Sequence, residues 1–282
     1  MKVYSHEDPD LKQFMKKISK VTKQVEAMKL PYWVFVEESN PVGIVVVGKE
    51  PMQLLASPGS SMAFVELFNM RLPKENIGAF AAEALKLTGQ KNVEYALAKF
   101  PSDEVAAINQ FKTVNFKEFD DCYHMVCKLD KTFEPAKELQ LKKVKKGEMR
   151  QFIEYAERFL QGSPDIALEE ALQHISELPD DFLELYYTQE EFFIAYKDEQ
   201  PVGILNLNTV KGLVSDLAVD RNERGKGYGR QLMVFGLQKL KKKGCEQAYL
   251  RVHVENKPAI LLYESLGFTK AERYKRLIWR KH

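Results

Sequence analysis

The stretch Leu213-Val214-Ser215-Asp216-Leu217-Ala218-Val219, followed after a short gap by Arg224-Gly225-Lys226-Gly227-Tyr228-Gly229, decides how this chain is read. The first run alternates Leu213, Ser215, Leu217 and Val219 with Val214, Asp216 and Ala218, the period of a largely buried strand. From Arg230 to Lys243, Met233, Leu237 and Leu240 share one helical face, and Gly244 supplies a C-terminal cap. Strand, glycine loop and helix therefore follow in that order. Glycines let the backbone come close to a ligand, and the first unpaired N–H groups of the helix point at it with the positive end of the dipole behind them. Such an arrangement suits a phosphate.

The register of the glycines narrows the ligand. A dinucleotide loop needs its third glycine three residues after the second, and Arg230 stands there instead. A nucleoside triphosphate loop ends in Gly-Lys-Ser/Thr, and no such triplet follows Gly229. What fits is Arg224-x-x-Gly227-x-Gly229, which resembles the coenzyme A loop of the GNAT superfamily of acyl-CoA-dependent N-acyltransferases. Leu217-Ala218-Val219 before the loop, and the segment from Asn256 through Tyr263 to Leu266-Gly267-Phe268 after it, are similar to the same family.

That resemblance implies acetyl-CoA, or a close relative, as co-substrate, with no metal. Arg224, Gly225, Lys226, Gly227, Tyr228, Gly229 and Arg230 would hold the cofactor. The strand Leu217, Ala218 and Val219 would pair with the thioester and pantetheine arm through the amides of Leu217 and Val219, like an added strand. Asn256 would contact the coenzyme A arm, and Tyr263 would protonate the leaving thiolate. Locally, Asn256 is also a good helix N-cap, Pro258 is tolerated in the first turn, and Gly267 closes the helix.

The chemistry asked of Tyr263 is reasonable. Attack of an amine on a thioester expels a thiolate of pKa about 8.5, and a tyrosine of pKa about 10 is protonated at neutral pH and can donate. No residue stands out as a covalent nucleophile, so transfer would be direct, through a tetrahedral intermediate. Some family members carry a Glu six residues before the Val219 position, where this chain has Leu213. Asp216, His253 and Glu255, near the open end of the two central strands, remain as candidates for the base. Each also has an ordinary reading as a hydrogen-bonded strand residue or a solvated one. A lysine amine, pKa about 10.4, needs such a base more than an α-amine near 8 does. A different class of function, an acyl-CoA-binding regulatory module that never transfers the group, shares every one of these features except turnover.

The remainder of the sequence sets the frame. Its 282 residues suggest two modest domains at about 150 residues each. Hydrophobic content of 45% and charged content of 29% fit a chain that buries a core. A net charge of +2 makes no electrostatic case for nucleic acid or an anionic membrane. Cys122, Cys127 and Cys245 show no zinc-like or framework spacing, which fits a reducing cytoplasm. The N-terminus lacks the apolar run of a signal peptide, and runs such as Val42 to Val47 fall far short of the roughly 20 residues that span a membrane.

The chain also repeats itself. Val34 to Val45 lines up with Ile194 to Leu205, including an identical Pro-Val-Gly-Ile, 160 residues apart. Ala107, Ile108, Phe111 and Phe116 line up with Ala259, Ile260, Tyr263 and Phe268, 152 apart. Two ordered matches indicate two copies of one fold. Asp130 to Glu138, charged and containing Pro135, reads as the linker, which divides the chain into 1–135 and 136–282. The expected fold class is α/β (α+β): two tandem GNAT-like domains, each a mixed, mostly antiparallel central sheet flanked by helices.

In the first copy the loop reads Pro73-Lys74-Glu75-Asn76-Ile77-Gly78, Glu104 replaces Asn256, and Phe111 replaces Tyr263. The first domain is thus expected to be degenerate, with one active site in the second. The acceptor would be the primary amine of a small molecule or peptide. A monomer is expected, since two domains in one chain can take the place of a dimer.

Overall fold

The computed structural model describes residues 1–50, 55–57, 59–130, 132–134 and 138–281. The boundary expected near 135 falls at residues 135–137, outside those described. The chain divides into two compact units, one made of Met1–Asp121 with Tyr274–His282 and the other of Cys122–Arg273.

The first unit runs β1 (Lys2–Ser5), α1 (Met15–Ala27), β2 (Tyr32–Glu37), β3 (Asn40–Lys49), β4 (Ser61–Leu67), α2 (Lys74–Gln90), β5 (Tyr95–Pro101) and α3 (Val105–Thr113). A 3₁₀ segment, Pro9–Phe14, leads into α1, its start capped by the side chain of Asp8. Strands pair antiparallel throughout, β1 with β2, β2 with β3 and β3 with β4, until β4 meets β5 in parallel.

A further strand, β6 (Lys117–Lys128), carries the chain across the division between units. The second unit then runs β7 (Gln140–Lys143), α4 (Met149–Leu160), α5 (Ile166–Leu172), α6 (Asp180–Gln189), β8 (Glu191–Lys197), β9 (Gln200–Asn208), β10 (Leu213–Val219), α7 (Tyr228–Lys242), β11 (Gln247–His253) and α8 (Lys257–Ser265). The last strand is β12 (Thr269–Arg280). Pairing is again antiparallel from β7 to β10, and β10 meets β11 in parallel. Each sheet is mixed and mostly antiparallel, as expected.

The closing strands are exchanged with respect to sequence order. Residues 122–128 of β6 run antiparallel to β11 in the second unit, and residues 274–280 of β12 run antiparallel to β5 in the first. A linear cut near 135 differs from this division, because each sheet takes its last strand from the other half of the sequence.

The repeat has a structural cause in both units. The two hairpins turn through Glu38-Ser39 and Asp198-Glu199, all four residues at positive φ, and both carry a register shift just before the turn. The shared Pro-Val-Gly-Ile places a glycine where backbone and helix crowd it. A Cβ on Gly43 would lie 2.4 Å from Phe80, and one on Gly203 would lie 2.7 Å from the Ala218 carbonyl and 2.8 Å from Leu232. Phe80 and Leu232 are themselves equivalent, so the same helix sits on the same glycine in each copy.

In the second unit Met233, Leu237 and Leu240 of α7, the helical face expected from spacing, are fully buried against Leu205, Leu207, Ala248 and Leu250. Helix α6 is an addition to what the sequence suggested. Leu178-Pro179-Asp180-Asp181 reads as a stop, yet here Pro179 is an N-cap and the two aspartates fill the first turn of a new helix, where they favour its dipole. Among the described residues no helix is long and apolar enough to cross a membrane.

Candidate active site

The site grows from one strand irregularity. Strand β10 pairs with β9 as Val214↔Leu207 and then Asp216↔Asn206, so Ser215 is an extra residue in a β-bulge. On its other side β10 shares a single register pair with β11, Leu213↔Tyr249. Beyond that pair the two parallel strands part, and the edge of β10 from Val214 to Val219 lines a cleft of about 560 Å³. A strand edge with unpaired N–H and C=O groups is a template for an extended ligand.

At the C-terminal end of β10 the chain makes a short 3₁₀ turn, Arg221–Glu223, and enters α7 through Gly225 and Gly227. Both glycines have left-handed φ, +81° and +82°, and a Cβ on either would meet nothing within 4 Å. Their requirement is therefore conformational rather than spatial. The N-terminus of α7 has no side-chain cap, so its first N–H groups face the cleft mouth with the helix dipole behind them.

The sequence-derived residues divide clearly. Leu217, Ala218, Val219, Arg224, Gly225, Gly227, Tyr228, Gly229, Arg230, Asn256, Tyr263, Asp216 and His253 all line the cleft. Lys226 and Glu255 do not. The Lys226 ammonium pairs with Glu223 at 2.9 Å, an ion pair that raises its pKa, and Glu255 is an exposed carboxylate 3.8 Å from Lys257.

Several of these residues also hold the site together. The Arg224 guanidinium donates to the carbonyls of Val219 and Phe159, both at 3.2 Å, and so ties the loop to β10 and α4. Arg230 donates to Ser265 Oγ at 3.0 Å, joining α7 to α8. Tyr228 is 6% exposed and its ring belongs to the core, which leaves its backbone N–H as the group available to a ligand. Asn256 caps α8, its Oδ1 accepting from the Ala259 N–H at 3.4 Å, with the carboxamide nitrogen left to meet a ligand.

Tyr263 is 8% exposed, with its ring 5.9 Å from Phe268. Burial, and secondarily the negative charge of Asp216, push its phenol up to about 12, so it holds its proton throughout the neutral range. Asp216 is raised above the ordinary carboxylate range by burial, with the Arg251 charge and the Asn206 carboxamide opposing the shift. His253 accepts a hydrogen bond at Nδ1 from the Glu255 N–H at 3.2 Å, which in the neutral ring puts the proton on Nε2. Asp216 and His253 both stand on the cleft wall, and burial raises the Asp216 carboxyl above the ordinary carboxylate range.

Around Asp216 lies a polar network that sequence reasoning missed. Asp165, 5% exposed, caps α5 through the Leu168 N–H and holds Arg251 at 2.5 Å. Arg251 also reaches Cys122 Sγ at 3.6 Å. Glu190 accepts from Ser215 Oγ at 2.8 Å, and burial raises its pKa. Tyr186 accepts from the Asn206 carboxamide at 2.8 Å, and burial, with the charges of Asp216 and Glu190 in the same direction, holds its phenol protonated. The one visible signal was Asn206, a polar residue inside the apolar run Val202-Gly203-Ile204-Leu205-Asn206-Leu207. Tyr186 and Glu190 belong to the helix that was not anticipated and to the residue that ends it.

Comparison with known proteins bears on this geometry. Residues 153–268 match the acetyltransferase (GNAT) family. A stretch of 59 residues is 48% identical to a mycothiol acetyltransferase of Thermobispora bispora, covering 21% of this chain and 20% of that protein. Another of 95 residues is 30% identical to the N-alpha-acetyltransferase MAK3 of Arabidopsis thaliana, covering 32% of this chain and 50% of that one. The chain thus spans a fifth and a half of these two relatives. Among solved structures, a tandem GNAT protein from the clavulanic acid biosynthesis pathway aligns at a TM-score of 0.59 and 13% identity, covering 99% of this chain and 98% of its own. A GCN5-related N-acetyltransferase from Sphaerobacter thermophilus aligns at a TM-score of 0.60 and 16% identity, covering 88% and 80%. At such identities the likeness is one of fold, and it extends over both units.

Proposed function

The second unit carries, over residues 153–268, a domain of the acetyltransferase (GNAT) family, and on that premise we propose that the protein is an acetyl-CoA-dependent N-acetyltransferase with a single active site in the cleft of that unit. The observation that carries the proposal is the parting of β10 from β11 after the single pair Leu213↔Tyr249, with the glycine loop at one end of the opened edge and Tyr263 along its wall. An acyl-pantetheine arm can add to that edge as a strand, its pyrophosphate meeting the N–H groups that start α7. The names of the similar proteins support acetyl transfer and differ in acceptor.

The step is a direct displacement. The acceptor nitrogen forms a bond to the thioester carbonyl carbon, the C–S bond breaks, and the thiolate takes the Tyr263 proton. The attacking species is the neutral amine; the proton its nitrogen sheds in the tetrahedral intermediate goes to Asp216, whose raised pKa makes its carboxylate a better base than an exposed one, and Tyr263 regains a proton from solvent once the thiol leaves. The acceptor is a primary amine of a small molecule or peptide. The first unit is a degenerate copy without a second site, the chain acts as a monomer, and three free cysteines suit a reducing, cytoplasmic setting.

The deciding experiment is a thiol-release screen of acetyl-CoA against amino acids, polyamines, aminoglycosides and peptide N-termini. Release above the hydrolysis background with at least one amine is expected. Saturable acetyl-CoA binding with no release from any acceptor would instead identify an acyl-CoA-binding module.

A further inference from the structure

A β-bulge breaks one rung of a ladder, and something must take up the N–H that the break leaves over. In β10 the displaced group belongs to Asp216, and its acceptor is a side chain. Oδ1 of Asn206 lies 2.5 Å from the Asp216 N–H. Asn206 is 0% exposed, among the buried strand residues Val202, Gly203, Ile204, Leu205 and Leu207. Its carboxamide nitrogen is also engaged, donating to the Tyr186 hydroxyl at 2.8 Å. A buried asparagine with both ends satisfied orients its neighbours strongly, because either bond lost leaves a group without water or partner.

We infer that Asn206 is a positioning residue that locks the β10 bulge, and thereby sets the register in which residues 216–219 present their backbone to the cleft. It never faces the cleft itself. Its second bond fixes Tyr186, on the helix that ends beside Glu190, so one carboxamide couples the acyl-binding strand to the α6 side of the network. The first unit supplies the contrast. There β3 and β4 pair without a register shift from Gly43↔Leu67 to Lys49↔Ser61, and β4 stays in register with β5 over four pairs from Met62↔Tyr95 to Val65↔Ala98. Without a bulge and its lock, that edge stays closed.

The inference rests on the proposed acetyl transfer for its kinetic consequence but not for its structural one, and the experiment separates the two. Hydrogen exchange in the free protein should show the peptide containing residues 213–219 exchanging at least about tenfold faster in Asn206→Leu, with the peptide containing residues 224–229 unchanged. Asn206→Asp keeps an acceptor for the Asp216 N–H and should restore most of the protection. In turnover with the acceptor from the screen, Asn206→Leu should lower kcat about tenfold or more while the KM for acetyl-CoA moves less than about threefold, and Asn206→Asp should recover part of kcat. Unchanged exchange at residues 213–219 in Asn206→Leu overturns the lock, whatever the enzyme does. Faster exchange with unchanged kcat overturns the positioning role. Should Asn206→Leu fail to fold, Asn206→Ala decides by the same comparison, unchanged exchange at residues 213–219 again overturning the lock. Failure of the wild-type protein to turn over any amine counts against the acetyl-transfer reading and leaves the exchange result standing.

Discussion

The two units share a fold and differ in whether one pair of parallel strands is zipped. In the first, β4 and β5 keep four consecutive pairs. In the second, β10 and β11 keep one. What fills the space differs accordingly. The first unit packs Phe80, Phe100, Phe111 and Phe116 into one buried aromatic cluster, with centroid separations of 4.8 Å for Phe100–Phe111 and 5.2 Å for Phe111–Phe116. Equivalent positions in the second are Leu232, Val252, Tyr263 and Phe268, smaller or polar at three of the four. The difference teaches that a ligand cleft in this fold is made by withholding packing. Apolar side chains fill the first unit beside its zipped strands, and a bulge keeps the corresponding pair of the second apart.

The comparison is tested most severely at Tyr263, the position where the copies differ by one hydroxyl. Tyr263→Phe gives the second unit the residue of the first. Loss of a positioned general acid should lower turnover by about 10²- to 10⁴-fold with acetyl-CoA affinity within about twofold of wild type. Turnover unchanged in steady-state assays would remove Tyr263 from the mechanism. The left-handed loop comes next. Gly227→Val places a β-branched residue at φ +82°, a strain on the order of 1–3 kcal/mol, and acetyl-CoA affinity by calorimetry should fall about 10- to 100-fold. The corresponding Asn76→Ala in the first unit should leave affinity and stoichiometry as they were. A matching loss there would mean that the first unit also binds the cofactor.

Much of this is legible in the sequence, for a physical reason. Glycine spacing, strand alternation and helix caps are local, so Gly225, Gly227, Asn256 and Tyr263 could be placed at one cleft from sequence alone, and the repeat gave the two-unit plan. What could not be read was non-local. Exchange of residues 122–128 and 274–280 between sheets depends on which edge each strand finds, and nothing in an alternating apolar run states that. Helix α6 was hidden because Pro179-Asp180-Asp181 serves equally as a stop and as a start. With it are hidden Tyr186 and Glu190, which with Asp216 have pKa values raised by burial. Nor does the Arg224 pattern reveal that its guanidinium also donates to the backbone carbonyls of Val219 and Phe159.

The reverse exchange at the aromatic cluster should be smaller in effect. Phe111→Tyr puts a hydroxyl at a position 0% exposed, against the rings of Phe80, Phe100 and Phe116, and an unpartnered buried hydroxyl costs about 1–3 kcal/mol. The melting temperature should drop by about 2–4 °C per kcal/mol. Calorimetry should still count one acetyl-CoA site, since a zipped strand pair is not opened by one phenol. A second site appearing in this variant would show that residue identity, rather than strand separation, is what the first unit lacks.

The smallest expected effect concerns the cost of keeping the second unit's polar network buried. Glu190 Oε2 is buried without a hydrogen-bond partner among the described residues, and burial raises the pKa of this carboxyl despite the Ser215 hydroxyl. A carboxyl with a folded pKa above its unfolded value binds its proton more tightly in the fold. Its relative stabilising contribution is therefore complete below the ordinary carboxylate range and is lost as pH rises through the raised value. Glu190→Gln removes that titration while keeping an oxygen for Ser215 Oγ. The variant should melt higher than wild type at pH 8, by on the order of a few degrees, with the gap narrowing towards pH 5. Asp216, raised in the same direction, leaves part of the slope in place. A gap independent of pH, or one that widens as pH falls, would show that Glu190 is ionised in the fold at no cost. In the first unit Phe64 occupies the position of Asp216, so the contrast between the copies at that position would then rest on packing alone.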